Sequence, residues 1–211
     1  MESSTRLLHF GLALSVCLLL AGAAQGQERD RANIKFDKFE LNGVQTPEFT
    51  EKTHAQAKAE YEWFQVYTQY TALGGKDGWL DEVELHWSVL LKTSDGLYIL
   101  LQAKTTYVDI ETNGTRHNAV VYIRPSFLRR YCGKDRISRS DVWVHVEAAV
   151  EGRVVEKEDY SRGKAPAANW WQAKDSRQVK VVDGALLSRD KTPFAVLDAD
   201  FYDQIKLPVG R

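Results

Sequence analysis

The chain has 211 residues, with 28 Lys and Arg against 29 Asp and Glu, for a formal net charge of −1. So close a balance excludes the broad positive field that binding to nucleic acid or to an anionic membrane surface draws on. Two cysteines, Cys17 and Cys132, are too few for a disulfide scaffold, so the fold must be held by its core.

Arg6 precedes an almost continuous apolar run over residues 7–20, and small residues follow in AGAAQG. This is the pattern of an export signal, expected to occupy residues 1–26 and to be cleaved. The run is shorter than the roughly 20 residues that a spanning helix needs. Cleavage there removes Cys17 and leaves roughly 185 residues, enough for one core. Cys132 is then a lone thiol, which reads as a small buried hydrophobe. Glu2 and Arg6 leave together, so the charge balance is unchanged. No later stretch is long and apolar enough to cross a membrane, and the expected location is the periplasm or the outer-membrane surface.

Residues 27–59 read as an N-terminal arm. Strand-like alternation begins at Ile34, and a polar connection follows, in which HAQAKAE has good helix formers. Residues 60–211 read as the main domain, where the dominant period is two. Val83, Leu85, Trp87, Val89 and Leu91 alternate with polar residues, which predicts a half-buried strand of an antiparallel sheet. The turn Thr93-Ser94-Asp95-Gly96 joins it to a second strand over residues 97–108, forming a hairpin. Asn113-Gly114 is the sequence cue for another hairpin. Pro125 ends the next strand, and SFLRRYCG suggests a helical turn. Val142, Val144, Val146, Ala148 and Val150 repeat the alternation, Gly152 turns the chain into RVVEKEDY, and QVKVV and ALLS follow. The last segment, TPFAVLDADFYDQIK, reads as a closing strand and an anchored tail. Short strands punctuated by turns, without long helical segments, predict an all-β, immunoglobulin-like antiparallel β-sandwich with an N-terminal arm. The chain cannot make the inter-sheet disulfide of antibody domains, and Trp87 is expected to fill the centre of the core in its place.

The sequence carries no G-x-S-x-G, H-E-x-x-H, Walker or G-x-G-x-x-G pattern, and hence no catalytic or cofactor motif. His86 with Glu84 and His145 with Glu147 lie on the polar faces of two strands and approach one another if those strands pair. Without closely spaced ligands they read as a solvated face rather than a zinc site. Trp170-Trp171 is the candidate binding surface. Adjacent residues of a strand point to opposite faces, so one of the pair is expected in the core and the other outside, where it can stack on a sugar or dock a protein. The competing reading is that both are packing anchors.

The segments ELHWSVLLKTSDGLYILLQAKTTYVDI, YIRPSFLRRYCG, VWVHVEAAVEGRVV, NWW and TPFAVLDADFYDQIK resemble verrucomicrobial exported proteins of the Akkermansia type, encoded beside type IV pilus-like assembly genes. The resemblance extends over residues 63–206. It implies an immunoglobulin-like sandwich in the outer envelope, associated with a pilus or secretin apparatus, and it carries over no functional residue. The signal lacks the prepilin cleavage pattern, so an accessory role is expected rather than a pilin subunit. The partners expected are envelope or pilus-assembly proteins or a second copy of the chain. A carbohydrate-binding module using an exposed tryptophan is the alternative.

Overall fold

The computed structural model describes residues 31–47, 62–198 and 201–207. The export signal expected over residues 1–26 lies outside the described residues.

Among the described residues nine strands make two packed sheets. They are β1 (Asn33–Gln45), β2 (Glu62–Leu73), β3 (Trp79–Lys92), β4 (Tyr98–Glu111), β5 (Asn113–Ile123), β6 (Val142–Val150), β7 (Arg153–Ser161), β8 (Val179–Asp183) and β9 (Leu186–Ser188). One sheet has the order β1-β2-β5-β9 and the other β7-β6-β3-β4-β8. The orders β1-β2-β5 and β7-β6-β3-β4 are those of the A-B-E and G-F-C-C′ strands of an immunoglobulin-type sandwich. The alternating positions of β3 and β6 point inward as expected: Val83, Leu85, Trp87, Val89 and Leu91 meet Val142, Val144, Val146 and Ala148 in one core cluster. Each such side chain, fully buried, is worth about 1.5–3 kcal/mol. Trp87 is 1% exposed. Its Nε1–H donates to Thr105 Oγ1 at 2.9 Å, so the indole is both packed and hydrogen-bonded inside the core.

Three expectations are corrected. Residues 33–45 are not part of an arm: β1 pairs with β2 from Asn33↔Leu73 to Gln45↔Glu62, so the sandwich starts before residue 60. Ile34 and Leu41 join the core, which supplies the driving force for that pairing. The remainder of the expected arm, over residues 48–59, lies outside the described residues. Asn113-Gly114 does not close a hairpin. β4 belongs to the five-stranded sheet and β5 to the four-stranded one, so this turn carries the chain from one sheet to the other. Gly114 takes a positive φ of 86° there, and Asn113 Oδ1 accepts from Thr115 N at 2.8 Å. Finally, the sheets are not wholly antiparallel, because β8 runs parallel to β4 over Tyr98↔Val179 to Gln102↔Asp183.

The chain after β7 covers what the sandwich leaves open. Residues 162–178 lie over part of the outer face of the five-stranded sheet, where Trp170 packs with Leu90, Leu100 and Trp143. Phe194 covers Trp63 and Tyr122 on the outer face of the other sheet, its ring stacked on Tyr122 at 4.7 Å. The expected closing strand is instead an irregular tail, anchored as expected. Gln204 O accepts from Val108 N, Lys206 N donates to Thr106 O, and Phe201 stacks on Tyr67. The tail thereby blocks exposed backbone at the edge of β4 that β8 leaves uncovered. Among the described residues no helix is long and apolar enough to cross a membrane.

Candidate functional site

The two tryptophans singled out in the sequence come together with two other rings. Trp170 and Trp171 are not strand residues but open a short 3-10 turn, Trp170–Gln172, entered through Asn169 at a positive φ of 52°. A 3-10 turn does not alternate its neighbours across a sheet as a strand does, but the pair still divides into a buried ring and a more open one. Trp170 is 5% exposed and anchors the 162–178 segment to the sheet, so it serves the candidate surface as a packed wall rather than as an open stacking face. Trp171 is half-buried. Its ring lies flat on the His145 imidazole at 4.0 Å, with 7° between planes, and meets Trp170 edge-on at 5.9 Å.

These rings, with Trp143 of β6 and Tyr160 of β7, wall a hollow of about 280 Å³ roofed by Ala165, Ala167 and Ala168. Trp143 and Trp170 are tied in place. Trp143 Nε1 donates to Gly163 O at 3.2 Å, and Ser161 Oγ donates to the same carbonyl at 2.7 Å. The Trp171 indole nitrogen is buried and has no hydrogen-bond partner among the described residues. A buried N–H without an acceptor costs about 1–3 kcal/mol, so this ring position is held at some expense to the fold.

Beside the hollow runs a charged strip on the outer face of β3, β4, β6 and β7. β3 and β6 do pair, with His86 opposite Glu147, as the sequence reading required for the four side chains to meet. They segregate into two ion-paired groups. Glu84 is paired with His86 and Lys104. Burial raises its pKa, but Lys104 and His86 outweigh that and hold it below the ordinary value. Glu147 accepts from Lys157 at 2.6 Å and contacts His145 Nε2 at 3.3 Å, and these partners, Lys157 first, hold its pKa down. His145 Nδ1 lies 2.8 Å from Asp159 Oδ1, so its imidazole is fixed between two carboxylates and the Trp171 face. Among the described residues no group of three or more His, Cys, Asp or Glu side chains is arranged to hold a metal ion.

A further histidine, one not singled out in the sequence, sits under the tail. His117 is 5% exposed. Its Nδ1 lies 2.9 Å from Asp203 Oδ1 and its Nε2 lies 2.8 Å from the Glu111 carbonyl. Both neighbours are acceptors, so both ring nitrogens must carry protons to satisfy them. Burial works against that charge. The hydrogen bond to Asp203, the Asp203 charge and the Glu111 carbonyl prevail and raise the His117 pKa above its ordinary value. Tyr70 Oη donates to Asp203 Oδ2 at 3.3 Å, and its ring stacks on His117. The group fastens the tail to β2 and β5. Cys132, the cysteine among the described residues, is 1% exposed, and burial pushes its pKa up to about 11. That makes it an inert packing residue at neutral pH.

One protein-family model matches the chain over residues 25–208. The fold is similar to that in a crystal structure of a protein from Akkermansia muciniphila, with a TM-score of 0.72 at 21% sequence identity over 85% of this chain and 95% of that one. No curated protein matches the chain.

Proposed function

The chain belongs to the family whose model spans residues 25–208, and from that premise we propose that it is an exported, non-enzymatic interaction protein of the cell envelope, accessory to a type IV pilus-like or secretin assembly. The observation that carries this reading is the aromatic hollow walled by Trp143, Tyr160, Trp170 and Trp171. At about 280 Å³ it falls below the roughly 300–1,000 Å³ of sites that enclose a whole small ligand. It suits one protruding side chain of a partner protein, the arrangement that concentrates binding energy at an interface. The ion-paired strip beside it supplies a polar rim. The pilus or secretin connection is supported by the sequence resemblance over residues 63–206.

The test is crosslinking in cells of a tagged full-length chain, with mass spectrometry of what is recovered, for the native sequence and for Trp171→Ala. Recovery of secretin or pilus-assembly proteins with the native chain, and at least severalfold less with the variant, is the expected result. Recovery of the chain alone, or undiminished recovery with the variant, refutes the reading.

A further inference from the structure

The tryptophan that the fold leaves most open is neither Trp170 nor Trp171 but Trp79, which is 46% exposed at the first position of β3. It stands in a cleft of about 1120 Å³ at one end of the sandwich, between the β2–β3 loop and the β6–β7 turn. The platform is rigid. Lys76 and Trp79 exchange backbone hydrogen bonds of 3.0 and 3.1 Å, and Gly74, Gly75, Asp77 and Gly78 all hold positive φ. At Gly75 a Cβ would lie 2.3 Å from the Trp79 carbonyl, so the loop is closed down on the backbone that carries the indole. A ring presented this way loses little freedom on binding.

The chemistry of the walls selects among ligands. Three basic side chains, including Lys76 and Arg153, face four acidic ones, including Asp81 and Glu84. Such a near-balanced lining gives no net field to attract a polyanion or a polycation. It does supply both strong donors and strong acceptors, which hydroxyl groups can use simultaneously. A half-open indole supplies a flat apolar face, as the C–H face of a pyranose requires. The volume is somewhat above the range for enclosed ligand sites, enough for more than one sugar ring.

We propose that the Trp79 cleft binds a neutral oligosaccharide, with the indole stacking on a sugar ring and Lys76 and Asp81 bonding its hydroxyls. This site lies at a different place from the aromatic hollow and stands whether or not a protein partner is found there.

The test is affinity electrophoresis of the purified chain in gels containing neutral polysaccharides (starch, β-glucan, xyloglucan and galactomannan) and, separately, heparin. Titration calorimetry follows with a hexasaccharide of whichever neutral polymer retards it. Retardation by at least one neutral polymer is expected, with Trp79→Ala weakening binding at least tenfold and Asp81→Asn at least threefold. Both side chains are exposed, so the thermal unfolding midpoint should not move with either change. Retardation by no neutral polymer, retardation by heparin alone, or binding that survives Trp79→Ala undiminished would each overturn the assignment.

Discussion

Asp203→Asn separates a charged latch from simple packing of the tail. Asp203 accepts from His117 Nδ1–H at 2.9 Å and from Tyr70 Oη at 3.3 Å, and the His117 side chain is 5% exposed. A hydrogen bond to a charged group contributes about 1.5–3 kcal/mol. The amide keeps a hydrogen-bonding oxygen but removes the charge that stabilises the imidazolium, so a loss of about 1.5–3 kcal/mol is expected at pH 5.5. With a urea dependence of about 1–3 kcal/mol per molar for small proteins, that corresponds to a fall of roughly 1 M in the midpoint. The folded-state pKa of His117 is raised, so the stabilisation is fully present below the unfolded value near 6.5 and is lost as pH rises through the folded value. The gap between native and variant should therefore narrow by pH 8.5. Urea titrations followed by far-UV circular dichroism at both pH values measure it. Equal losses at the two pH values, or a loss under about 0.5 kcal/mol at pH 5.5, would refute the charged latch.

Trp87→Ala should cost about 3–5 kcal/mol, the range for truncating a buried aromatic, read from the urea midpoint; a loss below about 1 kcal/mol would mean the core does not close around it. Gly75→Ala combines a φ of 79° with a Cβ only 2.3 Å from the Trp79 carbonyl, and should lower stability by about 1–3 kcal/mol while perturbing Trp79 fluorescence. Cys132 should resist alkylation by iodoacetamide at pH 7.5 in the folded chain and react at once in denaturant, because burial holds its thiol protonated. Rapid labelling of the folded protein would contradict that burial.

How much of this was legible in the sequence depends on the range of the interaction involved. The strict alternation in β3 and β6 is a local record of one wet and one dry face, so both strands, their inward residues and the central Trp87 could be read directly. The Thr93–Gly96 turn is equally local. Asn113-Gly114 shows the limit. The backbone bend that these residues favour serves a hairpin and a sheet-to-sheet crossing alike, and only the pairing of β5 with β2 distinguishes them. The strand character of β1 was visible in the alternation from Ile34, but with Lys35, Asp37, Lys38 and Glu40 it has few inward positions to show that it joins the sheet rather than an arm. Trp170-Trp171 was recognisable as a notable pair, but its 3-10 geometry depends on Asn169 adopting a positive φ, which nothing in the neighbouring pattern requires. The His117–Asp203 pair spans 86 residues and was invisible for the same reason.

The tail and the two late strands close one flank of the sandwich with the protein's own chain, by covering β4 and β5. On the opposite flank, β1 and β7 lie side by side, joined through the stacked rings of Phe39 and Tyr160, and neither has another strand on its outer side among the described residues. Both sheets therefore end on this flank in an unpaired strand edge among the described residues, one offered by β1 and one by β7. Exposed charges stand along both, Lys35 and Lys38 on the first and Lys157 and Glu158 on the second, the means by which an open edge is kept from pairing with another chain.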